Sequence, residues 1–212
     1  MVSSRLVAPE LATIKVQGVT REAFLIRATL AAGATYGALS ATPFITKALA
    51  QEEVDDVAIL NFALTLEYLE TEFYKQGVSE VSGLSKEEKK LAKELRDNEQ
   101  EHVDFLKSAV EDADGTPAKK PMLDFGGAFA DRAAFLKTAN TLEDTGVSAY
   151  NGAGPLIDSV EILGAAGSIV QIEARHAALI RLARGVAPAP LAFDKASDMD
   201  AVLKAIGPFI KS

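Results

Sequence analysis

Apolar residues recur every three or four positions in four long stretches of the chain, a period typical of helices that bury one face. The stretches cover roughly residues 53–76, 85–112, 131–151 and 160–184. The first stretch is apolar over most of its circumference, so we expect it to be buried on several sides, with Glu67 buried in it. The pattern therefore predicts an all-α protein with four main helices.

Capping residues and helix breakers set the expected ends of these helices. Ser85 and Glu88 have the spacing of a capping box at the start of the second helix. Ser197 and Asp200 have the same spacing and predict a short fifth helix that stops before Pro208. Breaks are expected at five glycines and prolines: Gly77, Gly152, Gly154, Pro155 and Gly185.

A long connection is predicted between the second and third helices. Residues 113–130 have no helical period and contain several glycines and prolines. These eighteen residues can reach about 60 Å, whereas the second helix is only about 42 Å long. The connection can therefore return along the whole bundle and start the third helix parallel to the second. The sequence thus predicts a four-helix bundle with a long crossover between helices 2 and 3.

Residues 1–50 predict an export signal ahead of a bundle domain over 51–212. A basic region ends in Thr20-Arg21-Glu22-Ala23-Phe24-Leu25, an uncharged run follows, and Ala48-Leu49-Ala50 has the small-x-small pattern of a cleavage site. The layout resembles a twin-arginine signal, although Glu22 stands where the second arginine belongs. We expect export to the periplasm, cell envelope or extracellular space, without stable membrane insertion after cleavage. An uncleaved membrane anchor, an ordinary N-terminal helix and a cytoplasmic location are the alternatives.

Charge and cysteine content narrow the possible partners. The chain carries a net charge of −8 and residues 1–50 carry +3, so residues 51–212 carry −11. Nucleic-acid affinity comes largely from clustered Lys and Arg, and this balance argues against a nucleic-acid partner. Because the chain has no cysteine, any metal must bind through oxygen and nitrogen ligands, which suit iron, manganese or zinc.

The two halves of the bundle repeat one pattern of inward polar residues. The chain has two histidines, and both lie in Glu-x-x-His, a spacing that places the carboxylate and the imidazole on one helix face. In each half, the preceding helix carries a Glu followed seven residues later by a Tyr. The inward residues are Glu67, Tyr74, Glu99 and His102 in the first half, and Glu143, Tyr150, Glu173 and His176 in the second. Solvated Glu/His pairs are the alternative interpretation.

Four carboxylates buried in one bundle need compensating charge. They repel one another and lose their hydration, at a cost of several kcal/mol each. Two divalent cations supply +4 against −4, and two neutral imidazoles complete the ligand shells. Oxidation of both ions to the trivalent state adds +2, which bridging anions neutralise. Such a site can therefore change redox state without leaving net buried charge.

These motifs resemble the ferritin-like di-iron carboxylate proteins, including bacterioferritins and rubrerythrins. Asn61–Tyr74 resembles the first helix of bacterioferritins, and His102–Leu106 resembles the run that follows their Glu-x-x-His. Three runs are similar to exported bacterial ferritin-like proteins related to plant desiccation-related proteins: Thr141–Gly146, Ala166–Ile169 and Ala192–Asp194. The resemblance covers residues 53–210.

The resemblance implies a dimetal centre, with two iron ions as the first expectation and manganese as the alternative. The implied metal ligands are Glu67, Glu99, His102, Glu143, Glu173 and His176. Tyr74 and Tyr150 are expected to hydrogen-bond ligand carboxylates. Glu70, one turn from Glu67, is expected to be solvated or to support the ligands rather than to bind metal.

Three functions follow from such a centre, and none needs a catalytic residue beyond the metal ligands. The first is oxidation of Fe(II) by O2 or H2O2, in iron handling or in oxidative or desiccation stress. The second is a dimanganese catalase-like reaction. The third is a non-enzymatic stress or envelope protein whose metal centre stabilises the bundle. A homodimer is left open, and storage in a 24-subunit cage is disfavoured for an exported chain.

Overall fold

The computed structural model describes residues 55–211. Its helices are α1 (Asp56–Glu80), α2 (Lys86–Asp112), α3 (Arg132–Ala153), α4 (Val160–Ala183) and a short α5 (Met199–Ile206). Short 3₁₀ turns lie at Gly126–Phe129, Gly154–Leu156 and Gly207–Phe209. Residues 55–211 contain no strand, only an isolated bridge between Leu123 and Ile210. The architecture confirms the predicted all-α bundle with a short fifth helix.

The four long helices are arranged as two pairs. α1 packs mainly on α2 and α3 mainly on α4, while α1 also meets α3 and α2 meets α4. Each pair carries one half of the repeated pattern of polar residues. The bundle therefore brings the two halves face to face along its axis.

The connection between α2 and α3 runs alongside α1. Near the start of α1, the Asn61 side chain donates to the Thr116 carbonyl (3.2 Å) and accepts from the Ala118 N–H (2.6 Å). About three turns further along α1, Lys120 Nζ lies 2.8 Å from Glu72 Oε2. The connection thus returns along the bundle as predicted, and α3 starts beside the start of α2, where Arg132 Nε lies 2.8 Å from Glu88 Oε1.

The helix starts follow the capping rules, with one correction. Ser85 and Glu88 form the predicted reciprocal capping box at the start of α2. The predicted cap of the fifth helix was wrong, because Asp198 rather than Ser197 caps α5. The N–H of Ser197 instead donates to the Ser148 carbonyl at 2.9 Å. Ser197 is therefore hydrogen-bonded to α3, and α5 starts at Met199, two residues after Ser197.

Two predicted helix ends were also wrong, because Gly77 and Gly152 lie inside helices. A Cβ at Gly77 would lie 2.2 Å from Phe135 Cε2, and a Cβ at Gly152 would lie 1.8 Å from the Ser197 carbonyl oxygen. Both glycines serve close packing between elements rather than helix termination. Gly185 does follow α4 as predicted, with a φ of +75° that suits glycine.

Two apolar clusters fill the bundle on either side of its middle. The first contains an aromatic group in which Phe73 stacks on Phe135 with ring centroids 5.1 Å apart. The second includes Leu60, Leu64, Leu106 and Ile169. Burial of each such large side chain stabilises the fold by about 1.5–3 kcal/mol. On every long helix, the inward Glu and His residues lie between the residues of these two clusters.

The described helices also bear on membrane association. Within residues 55–211, none of the helices has the length and apolar character needed to cross a membrane. The predicted leader, residues 1–50, lies outside the described residues. Export and cleavage therefore stay predictions.

Candidate metal centre

All four long helices contribute polar side chains to the middle of the bundle. Glu67 comes from α1, Glu143 from α3, and one Glu-x-x-His from each of α2 and α4. The four carboxylates have 0% exposure, His176 is buried, and His102 is nearly so. They are buried because each lies on the inward stripe of an amphipathic helix, between apolar residues one turn away.

The side chains converge into two overlapping groups. Glu67, Glu99, His102 and Glu173 each offer one atom, and these atoms all lie within 4.8 Å of one another. The same is true of a second group: Glu99, Glu143, Glu173 and His176. Glu99 and Glu173 belong to both groups, so they lie between two adjacent cation positions. The structure therefore brings together all six residues that the sequence singles out as ligands.

Both imidazoles direct Nδ1 into the cluster. His102 Nδ1 lies 2.9 Å from Glu99 Oε2, 3.2 Å from Glu67 Oε2 and 3.3 Å from Glu173 Oε1. His176 Nδ1 lies 2.7 Å from Glu99 Oε1, yet the two atoms are not aligned for a hydrogen bond. Convergence of donor atoms without hydrogen-bond alignment is what a shared cation would produce.

Several buried polar atoms of the cluster have no hydrogen-bond partner among the described residues. They are Glu70 Oε2, Glu99 Oε1, Glu143 Oε2, both carboxylate oxygens of Glu173, and His176 Nδ1. A buried polar group left unsatisfied costs about 1–3 kcal/mol, and more when it is charged. Two cations would satisfy most of these atoms at once, and oxygen with imidazole nitrogen is a donor set that iron and manganese accept. The residues present therefore fit a dimetal centre.

The histidines are strongly basic in the metal-free protein. Burial alone would lower the pKa of His102, but hydrogen bonds and attraction from nearby carboxylates outweigh it and raise the pKa to about 12. Burial likewise acts to lower the pKa of His176, but its close contacts with Glu143 and Glu99 outweigh burial and raise the pKa to about 11. Without metal, both imidazoles are therefore protonated, and their positive charges partly balance the carboxylates. A metal ion that binds there has to displace these protons.

The net pKa shifts of the buried carboxyls differ in direction, although burial acts to raise the pKa of each. Burial raises the pKa of Glu67 to about 7, and raises those of Glu143 and Glu173 with help from neighbouring carboxylates. Burial also acts on Glu99, but contacts with both histidines outweigh it and lower the pKa to about 2. Glu99 is therefore ionised in the metal-free protein, and its charge attracts both histidines.

Two tyrosines join the halves by hydrogen bonds. Each tyrosine hydroxyl donates to the inward Glu on a helix of the other half. The Tyr74 hydroxyl donates to Glu143 Oε1, and the Tyr150 hydroxyl donates to Glu67 Oε1 at 2.5 Å. Burial, followed by the neighbouring carboxylates, raises the pKa of both hydroxyls well above the usual value, so both stay protonated donors. The reciprocal pattern shows the approximate two-fold relation between the halves.

Sequence reasoning did not single out two further neighbours. Asn98 Nδ2 lies 3.0 Å from His176 Nε2, and Gly146 lies against the Glu70 and Glu173 carboxylates. The only feature of the sequence that could have indicated Asn98 is its position directly before the candidate ligand Glu99. Glu70 is not solvated, since only 2% of it is exposed.

The bundle and its carboxylate–histidine cluster define a ferritin-like protein with a candidate metal site. The sequence model described as the ferritin-like domain matches residues 55–186, and the chain therefore belongs to the ferritin-like domain family. Comparison with curated proteins gave no match. The similarity to the exported and desiccation-related branch stays an expectation from the sequence.

Proposed function

We propose that the chain holds two iron ions and oxidises Fe(II) with O2 or H2O2, in iron handling or in protection against oxidative or desiccation stress. One observation carries the proposal: two ligand groups overlap at Glu99 and Glu173. This overlap would place two metal ions next to each other, the arrangement in which paired metals share bridging ligands. When bound, the iron pair would supply the electrons that reduce the oxidant.

The protein side chains would divide the work in the following way. Glu67 and His102 would hold one ion, Glu143 and His176 the other, and the two shared carboxylates would lie between them. The hydroxyls of Tyr74 and Tyr150 would fix the orientation of the two unshared carboxylates.

The charge of the centre favours oxidation. Four carboxylates balance two divalent ions, and they attract an ion pair of higher charge still more strongly. The apolar clusters on both sides limit access of water and so keep this attraction strong. The oxidised state is therefore the one that the side chains stabilise more.

The test is to load metal-free protein anaerobically with two Fe(II) per chain and then to add O2 or H2O2. We expect near-UV absorbance of oxidised iron to develop faster than with free Fe(II). Glu143→Ala should abolish this while circular dichroism shows an intact helical fold, because it removes one ligand. Glu101→Ala is the matched control, since Glu101 lies next to His102 but is exposed.

Two results would overturn the iron proposal. If oxidation is no faster than with free Fe(II), while manganese-loaded protein evolves O2 from H2O2, the protein is catalase-like. If neither reaction occurs and metal only raises the melting temperature, the centre is structural.

We further propose that the mature protein acts outside the cytoplasm, with a small-molecule oxidant as its partner and no nucleic acid. The leader-like sequence of residues 1–50 and the charge of −11 over residues 51–212 support this proposal.

A further inference from the structure

The two halves of the centre differ at one position that faces the cluster. Three residues after the first Glu of each half, α1 has Glu70 where α3 has Gly146. The two residues lie opposite each other, because a Cβ at Gly146 would lie 3.2 Å from Glu70 Oε1. The approximate two-fold relation is therefore broken where the two helices meet beside the centre.

Gly146 makes the space that the Glu70 carboxylate occupies. Besides Glu70, a Cβ at Gly146 would meet Glu173 Oε2 at 2.9 Å, closer than such an atom normally approaches a neighbour. Any larger residue at position 146 would therefore push against two carboxylates at once. Only one of the two facing positions can carry a long side chain, and in this chain it carries an acid.

Within residues 55–211, no hydrogen bond or ion pair explains an acid at position 70. It is 2% exposed, and its Oε2 has no hydrogen-bond partner among the described residues. Burial, followed by repulsion from Glu173 and Glu143, raises its pKa well above the usual value. A buried acid among acids is unfavourable unless a cation is close.

We propose that Glu70 is a seventh metal ligand, which binds through the space left by Gly146 on the side of the centre formed by Glu143 and Glu173. The inference rests on the proposed dimetal function. It adds one ligand to the six that the repeated pattern supplies, three from each half. It makes the two metal positions unequal, because the second half has no carboxylate to match Glu70.

A fifth carboxylate changes the total metal charge that the centre can balance. Five ionised carboxylates exceed the +4 of two divalent ions by one negative charge. Oxidation of one ion to the trivalent state removes that excess. Glu70 therefore favours a pair in which the ion on its side is the more readily oxidised one.

The test is an anaerobic Co(II) titration of wild type, Glu70→Gln, Gly146→Ala and the exposed control Glu101→Gln. Glu70→Gln keeps the side-chain volume and removes the charge, whereas Gly146→Ala keeps the charge and fills the space. Calorimetry gives the number of sites and their affinities. Visible absorbance reports the coordination number, since Co(II) absorbs more strongly when it has fewer ligands.

We expect wild type to bind two Co(II) ions at unequal sites, and Glu101→Gln to match the wild-type affinities and spectrum. Glu70→Gln should weaken one of the two sites by about tenfold or more and raise its visible absorbance. Gly146→Ala should weaken the same site most and the other site less, because its methyl group also meets the shared Glu173, although its own side chain binds nothing. The metal-free Glu70→Gln protein should melt at a higher temperature than wild type, because it no longer buries an unpartnered carboxyl.

Two outcomes separate this inference from the proposed function. If wild type binds two Co(II) ions and Glu70→Gln matches its affinities and spectrum, Glu70 is a buried neutral acid and the inference is wrong. If wild type binds no metal at all, the dimetal function fails, and a role for Glu70 as a ligand fails with it.

Discussion

At the scale of single residues, bound protons reduce the repulsion between the buried carboxylates of the metal-free centre. A metal ion that binds there has to displace these protons. His102 and His176 have pKa values raised to about 12 and about 11, and Glu67 has a pKa raised to about 7. Metal ligands must be deprotonated to bind, so protons compete with the metal. The centre should therefore respond to pH in opposite ways with and without metal.

We expect the metal-free protein to lose thermal stability between about pH 5 and about pH 8. Glu67 binds its proton more tightly when folded, so its contribution falls as the pH rises from 4.5 to about 7. The histidine contributions are complete below pH 6.5 and fall as the pH rises towards about 11 and about 12.

The increase in melting temperature on adding Mn(II) should grow over the same pH range, because fewer protons compete. Melting curves of chelator-treated and Mn(II)-loaded protein at several pH values check both trends. A metal effect that does not change with pH would contradict this account of the histidines.

Asn98 should matter for one metal position only. Its Nδ2 lies 3.0 Å from Nε2 of His176. With Nδ1 on the metal, Nε2 carries a proton, and a flip of the Asn98 amide would let its oxygen accept that proton and fix the ring. Asn98→Ala should weaken one of the two metal sites by about 10–100-fold. Calorimetric titration with Mn(II) measures this, and Gln100→Ala on the exposed face of α2 is the control. Loss of affinity at both sites, or at neither, would argue against a positioning role.

The sequence could predict the ligand candidates but not all of their neighbours. Glu-x-x-His lies on a single helix, so its geometry follows from helical periodicity. The contact of Asn98 with His176 spans 78 residues of sequence, and the fit of Glu70 against Gly146 joins α1 to α3. Such contacts depend on how the helices pack, and no local pattern in the sequence encodes them.

At the scale of elements, the Ser85 capping box was a better guide to a helix boundary than Gly77. The Ser85 capping box marks the start of α2 because both of its hydrogen bonds are local. Gly77 has the composition signal of a helix end, yet α1 continues past it to Glu80. Whether a glycine ends a helix or admits a neighbouring side chain depends on what packs against it, here Phe135.

Two glycine substitutions should therefore change stability in opposite directions. Gly77→Ala places a methyl group 2.2 Å from a Phe135 ring atom, and that ring is stacked on Phe73. We expect a loss of about 1–3 kcal/mol from overpacking, despite the better helix propensity of alanine.

Gly164→Ala is the matched control, since Gly164 lies in α4 and a Cβ there would have no neighbour within 4 Å. It should stabilise the protein by about 0.5–1 kcal/mol. Urea unfolding of both variants measures the two effects. A stabilising Gly77→Ala would mean that the Phe135 ring moves aside without cost.

At the scale of the whole molecule, the sequence joins a leader-like segment to a bundle with a buried polar layer. The long crossover follows α1 from Asn61 to Glu72, as its length allowed. The bundle was predictable because four strong helical periods and one long connection leave few topologies. Export of residues 1–50 stays a prediction from their leader-like pattern.

We expect the mature protein to begin at Gln51. The small-x-small pattern of Ala48-Leu49-Ala50 predicts cleavage there, after export through the degenerate twin-arginine-like signal. N-terminal sequencing of protein from the native cell envelope or medium is the direct check. A soluble, folded protein that retains Met1 would reject the export proposal.

The central claim is that Glu67, Glu99, His102, Glu143, Glu173 and His176 hold two iron ions in the middle of the bundle. The most direct test is the metal content per chain of natively purified protein, measured by mass spectrometry, beside a Glu99→Gln variant purified in the same way. We expect about two metal ions per wild-type chain, mostly iron, and clearly fewer in the variant, which alters a carboxylate common to both groups. Wild-type protein that contains no metal and takes up none from anaerobic Fe(II) or Mn(II) would contradict the claim.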